Sequence, residues 1–351
     1  EKVNSYMFTS KAVGGIIGGA GLGTIIGFVG IKGAIVLQIP ILVVIMLVPL
    51  FMTERPGEKL YPWSESIGGG KKSEKPEEKN FREIFDNMGN SLPQTGNISE
   101  TIISEQKFRG MWVEVKDTQP QRDILYIHGG GFVIGSPKSH HELMSRLAVS
   151  ANAKVLGLDY RRAPENTFPA PIEDIMSAYR WMLESGIEPN QIVIAGDSCG
   201  GGLSIAALVS IRDEGLPQPA CAACLSPWSD LECAGESMKQ NEELDFLVQQ
   251  ETLLEWAKIY LNGADPRSPL ASTIHADLSG LAPVLIQTGG AEMLLSDAVQ
   301  LEKKLKSAGN QVRLEVWEDM THNWQMFAPI LDKGQEAIDQ VGSFIRNQIP
   351  D

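Results

Sequence analysis

Beyond residue 107, short apolar runs rich in β-branched residues alternate with stretches of helical periodicity. The runs are "DILYIH" from Asp123, "KVLGLDY" from Lys154, "QIVIAG" from Gln191, "ACAACLSP" from Ala220, "PVLIQTG" from Pro283 and "VRLEVWED" from Val312. A strand followed by a crossover helix returns the chain to the same end of the sheet, so the next strand lies parallel. Helices then cover both faces of that sheet. The pattern predicts an α/β fold with a mostly parallel, doubly wound sheet, opened by an antiparallel strand in "FRGMWVEV" from Phe108. Sheets of this kind carry their chemistry in loops at the carboxyl ends of the strands. Two stretches break the alternation, at about 80–104 and 231–260, and are expected to form a helical cap over that edge.

Two glycine-rich turns fall at predicted strand ends. "GDSCG", from Gly196, satisfies G-x-S-x-G between a strand and a helix. Its glycines relieve the crowding of a sharp turn, so the Ser198 side chain projects, while the Cys199 N–H lies at the helix start, where an oxyanion would form. "HGGGF", from His128, brings the N–H groups of Gly130 and Gly131 close enough to point at one oxygen.

A serine hydroxyl is a weak nucleophile at neutral pH and needs a base. Five histidines are available. His128 belongs to a glycine turn, where it braces the loop. His140 and His141 begin a helix as surface or capping residues, and His275 sits in a loop. His322 follows the last predicted strand on the same edge as Ser198, and is the base by position. The acid that orients it should lie on the loop after the preceding strand, where "TGGAEMLLSDA" offers Glu292 and Asp297. Glu292 is preferred because it directly follows the strand, and Asp297 is the alternative, at the start of the next helix.

The amino terminus is different in kind. From Ala12 to Thr53 the only formal charge is Lys32, leaving two apolar runs, Ala12 to Ile31 and Ala34 to Met52. Each approaches the roughly 20 residues a helix needs to cross a bilayer. Gly15, Gly19, Gly23 and Gly27 form a stripe that could pack against the second run or against a second chain in a homodimer. Residues 1–55 are therefore expected to be a membrane anchor of one or two helices, with compartment and sidedness open. Residues 56–79, rich in Gly, Pro, Ser, Lys and Glu, are expected to be a flexible linker, and residues 80–351 the catalytic domain.

The net charge of −14, with no dense basic run, argues against nucleic acid as a partner. Cys221 and Cys224 form a CxxC without a second ligand pair, so it reads as two free thiols in a buried strand rather than a metal site. No cofactor and no metal are expected.

Taken in order, "HGGGF", "DYRRAPENTFPAP" from Asp159, "GDSCGG", "DPRSPLAS" from Asp265 and "MTHNW" from Met320 resemble the hormone-sensitive-lipase-like branch of the α/β-hydrolases, which includes carboxylesterases and arylacetamide deacetylase. The resemblance implies an α/β-hydrolase fold, Ser198 as nucleophile, His322 as base, and Gly130, Gly131 and Cys199 as oxyanion donors. That family commonly has alanine where Cys199 stands, and an aspartate in D-x-L where this chain reads "EML" at Glu292. Asp159 and Asp197 look structural within it.

The expected activity is hydrolysis of small to medium acyl esters through an acyl-enzyme, with a small-molecule ester as partner. Amide hydrolysis or deacetylation by the same residues is the alternative. A ligand-binding protein without catalysis is a further one, disfavoured because all three catalytic roles have residues to fill them.

Overall fold

The computed structural model describes residues 76–350. Both apolar runs of the expected anchor, and nearly all of the expected linker, lie outside the described residues. Among the described residues no helix is long and apolar enough to cross a membrane. The last residues of the expected linker open α1 (Pro76–Ser91) instead. Phe81 and Phe85 of this helix pack against the core.

Eight strands form one sheet: β1 (Ile98–Ser104), β2 (Arg109–Val115), β3 (Asp123–Ile127), β4 (Lys154–Leu158), β5 (Ile192–Asp197), β6 (Cys221–Leu225), β7 (Val284–Gly289) and β8 (Val312–Trp317). Their order across the sheet is β1-β2-β4-β3-β5-β6-β7-β8. The pairings of β1 with β2 and of β2 with β4 are antiparallel, and the rest are parallel. The expected doubly wound sheet and its antiparallel opening strand are both present. One strand was not foreseen: β1, inside the segment expected to belong to the cap, is the sheet's edge. Its run "ISETIIS" reads as polar because it is half-exposed, and only pairing with β2 makes it a strand.

Side chains alternate strictly through the sheet. On β3, Leu125 and Ile127 face one core while Ile124 and Tyr126 face the other. The first core is closed by α3 (Ala170–Glu184), α4 (Cys199–Asp213), α6 (Gln250–Leu261) and α7 (Leu295–Ser307); the second by α2 (His141–Ala151) and α8 (Asp332–Gln348). The same alternation disposes of the CxxC, because Cys221 and Cys224, three apart on β6, face opposite cores and cannot share a metal or a disulfide. Both are free and buried, and burial pushes each thiol up to about 12. The stretch between β6 and β7 contains the short helix α5 (Ser237–Gln240) and α6.

Candidate active site

Ser198 sits between β5 and α4, near the middle of the sheet, with φ 54° and ψ −124°. A serine pays strain for this conformation, which persists only where its surroundings enforce it. Here the Ser198 N–H donates to the Leu225 carbonyl at 2.8 Å, and the Ser198 carbonyl accepts from the Trp228 N–H at 2.9 Å, fixing the turn against the end of β6. Gly200 is required by proximity, since a Cβ there would lie 1.9 Å from the Ile127 carbonyl oxygen. The helix start is thereby pressed against the end of β3, the strand that carries the HGGGF loop.

In that loop Gly131 has φ 57° and Gly130 φ 112°. The Gly130 carbonyl accepts from the N–H groups of Val133 and Ile134, which closes a tight turn. His128 is buried and stacked on Tyr160, with centroids 4.1 Å apart, and the Tyr160 hydroxyl donates to the His128 carbonyl at 2.9 Å. Burial holds the His128 imidazole well below its usual range, so it is neutral and braces the loop. Cys199 does more than its backbone suggests. Its sulfur accepts the Phe132 N–H at 3.3 Å and lies 3.8 Å from the Tyr160 hydroxyl, so the side chain ties the elbow to the HGGGF loop.

The two acids that follow β7, Glu292 on the loop and Asp297 in the first turn of α7, have separate surroundings. Glu292 is fully buried, and its Oε2 lies 3.6 Å from His322 Nδ1, an ion-pair distance somewhat longer than a hydrogen bond. The Ser226 hydroxyl donates to the same oxygen at 2.6 Å, and the Thr288 hydroxyl donates to Oε1. Asp297 instead accepts the N–H groups of Ser229 and Asp230 on one oxygen, at 2.9 and 2.8 Å. Burial pushes its carboxyl up to about 8, leaving it a poor anion at neutral pH.

His322 is buried beside Glu292, Asp245 and Asp197. Burial alone would lower its pKa, but the three carboxylates outweigh it and the net direction is upward. A base must be neutral to accept a proton. The acid limb of kcat/KM is therefore expected to have its midpoint above the ordinary histidine value of about 6.5. A profile of initial rates against pH checks this.

Asp197 connects the site's loops. Its Oδ1 accepts the Tyr126 hydroxyl at 2.7 Å and the Gly129 N–H at 2.9 Å; its Oδ2 accepts Asn323 Nδ2 at 2.7 Å and lies 3.3 Å from His140 Nε2. Elbow, HGGGF loop and histidine loop thus share one buried carboxylate. His140, read as a surface or capping residue, stands at the N-cap position of α2 without a side-chain capping bond, and is 1% exposed because Phe85, Tyr126 and His128 enclose it. Asp159, expected to be structural, pairs with Arg162 at 3.3 Å.

Ser226, Thr288 and Asn323 went unforeseen, since single hydroxyl and amide residues carry no spacing signal. Only the strand register shows that the ends of β5 to β8 converge. Among the described residues Asp230, Glu232 and His275 bring three ligand atoms within 4.8 Å of one another. However, Arg267 Nε donates to Glu232 at 2.8 Å, and the Asp230 carboxylate accepts the N–H groups of Glu232 and Ala234, so the group functions as a loop brace.

Residues 124–326, more than half of the chain, match the family described as alpha/beta hydrolase fold. A crystal structure of an esterase from the bacterial hormone-sensitive lipase family superposes with a TM-score of 0.76 at 44% identity, covering 81% of this chain and 95% of that one. The chain is a hormone-sensitive-lipase-like α/β-hydrolase. Its similarity extends to an acetyl-hydrolase of Streptomyces hygroscopicus, 47% identical over 65% of this chain and 76% of the relative. It also extends to an ethyl acetate hydrolase of Pseudomonas putida, 32% identical over 62% of this chain and 70% of the relative. Within this α/β-hydrolase, the elbow, the HGGGF loop and the Glu292–His322 pair occupy adjoining strand ends, where the fold assembles acyl-transfer chemistry.

Proposed function

We propose that this chain, a serine carboxylester hydrolase, cleaves small acyl esters with Ser198 as nucleophile, His322 as base and Glu292 as the acid behind it. Ser198 Oγ attacks the ester carbonyl as His322 takes its proton, and Glu292 stabilises the imidazolium. The N–H groups of Gly130, Gly131 and Cys199 hold the oxyanion. The tetrahedral intermediate collapses, breaking the bond to the alkoxy oxygen, which leaves with the proton from His322. Water, deprotonated by the same histidine, then releases the acid.

The observation that carries this reading is the pairing of Glu292 with His322 at 3.6 Å on the edge that also presents the strained Ser198. The preference for small acyl groups is supported by the two relatives, an acetyl-hydrolase and an ethyl acetate hydrolase. It is also supported by the cap: the Trp256 ring lies so close to Gly131 that a Cβ there would be 1.7 Å from it, and Tyr260, one turn further along α6, stacks on Phe132 at 3.8 Å.

With chromogenic esters of increasing acyl length, kcat/KM is expected to peak between acetyl and butyryl, and Trp256→Ala to move the peak to longer chains. A peak at long chains in the unaltered protein would refute the preference. Anilides of the same acyl groups are expected to react more slowly, because the leaving group is poorer.

Residues 1–55 are proposed to anchor the enzyme in a membrane, on the strength of the two runs interrupted only by Lys32. The full chain should sediment with membranes and be released by detergent but not by high salt. Release by salt alone would contradict an anchor. The glycine stripe supports close helix packing, within one chain or between two, and the mass of the detergent-solubilised protein distinguishes these.

A further inference from the structure

The loop that carries Glu292 is held from outside the sheet. Asn241 Nδ2 donates to the Glu292 carbonyl at 2.8 Å and to the Gly290 carbonyl at 3.2 Å. The Asp245 carboxylate accepts the Met293 N–H at 2.9 Å on Oδ2, while its Oδ1 accepts the Leu247 and Val248 N–H groups at 3.1 and 3.3 Å. Ser237 adds a hydroxyl that donates to the Met293 carbonyl at 2.5 Å and accepts the Ser296 N–H at 2.9 Å; the Ser237 N–H donates to Ser296 Oγ at 3.0 Å. All three side chains are buried: Asn241 is 8% exposed, Asp245 and Ser237 1% each.

Apart from the Leu247 and Val248 bonds, which fix Asp245 within its own segment, each of these bonds runs from the Ser237–Asp245 stretch between β6 and β7 to the Gly290–Ser296 stretch. Buried polar groups in such a network are costly to leave unpaired, so segment and loop move together or not at all.

We propose that Asn241 and Asp245 are positioning residues for the catalytic acid. The inference rests on the reading of Ser198, His322 and Glu292 above. Asn241 fixes the backbone carbonyl of Glu292 itself, and Asp245 holds the N–H of the next residue, so the two side chains set where the Glu292 carboxylate stands behind His322.

A part of the cap is therefore not a free lid. The stretch from Ser237 to Asp245 belongs mechanically to the catalytic acid, whereas the Trp256 and Tyr260 face of α6 covers the HGGGF loop. Substrate admission that displaced the first stretch would dismantle the pair behind the nucleophile.

The test is kcat and KM, with a pH profile of kcat/KM, for the full chain and for Asp245→Ala and Asn241→Ala on a short-chain chromogenic ester. Each substitution releases the Gly290–Ser296 stretch, so kcat should fall about tenfold with KM unchanged. In Asn241→Ala, which changes no charge, the acid limb should stay in place. An unchanged kcat in either variant overturns the positioning role of that residue. If instead the triad reading itself were wrong, Glu292→Gln would also leave kcat unaffected. That result separates the two failures.

Discussion

Replacing Ser198 with alanine is expected to lower kcat by about a millionfold while leaving the thermal transition almost unchanged. The residue is 7% exposed and its side chain is absent from the hydrogen bonds that hold the elbow, which run through its backbone N–H and carbonyl. Alanine at φ 54° bears the same steric strain as serine, so the turn has no new reason to rearrange. What is lost is the attacking oxygen. Without it, the oxyanion donors and the bound substrate leave only a small residual rate. Steady-state hydrolysis of a chromogenic acetate, together with a melting curve, checks both halves. A variant that unfolds more readily yet retains turnover would place the chemistry elsewhere.

The second large effect separates the two acids. Glu292→Gln is expected to cost roughly 10⁴ in kcat, because the amide no longer stabilises the imidazolium and can impose the wrong tautomer on His322. Asp297→Asn should leave kcat within a few-fold of the parent. Its two bonds, from the Ser229 and Asp230 N–H groups, end on one oxygen that an amide reproduces, and its carboxyl is already displaced towards neutrality by burial. Equal losses in the two variants would show that the carboxylate at 3.6 Å from His322 has no special part. The glutamate, one methylene longer than the residue common at this position, is accommodated by hydroxyls from Ser226 and Thr288 that secure both of its oxygens.

The sheet was legible in the sequence because its central strands, β3 to β7, are buried on both faces and therefore read as apolar runs. The glycine turns were legible because only glycine permits such close approach, as at Gly200. The preference for Glu292 over Asp297 followed from distance along the chain; the distinct partners of the two carboxylates, which need the folded chain, were not legible there.

What escaped notice has a common cause. β1 is a half-exposed edge strand whose composition shows no burial; His140 is buried by partners from three other elements; Ser226, Asn241 and Asp245 act through tertiary contacts at separations of tens of residues. A single polar residue that finds its partner across the fold leaves no periodicity to read. Cys199 is the clearest instance: its sulfur fills the gap between elbow and HGGGF loop, a contact that no local pattern announces.

The most direct measurement is mass spectrometry of the protein quenched during turnover of a slowly deacylating ester, followed by peptide mapping. The account predicts the mass of one acyl group, carried on the peptide containing Ser198 and absent from the Ser198→Ala chain. An acyl group on another residue, or continued turnover by Ser198→Ala without any adduct, would contradict it.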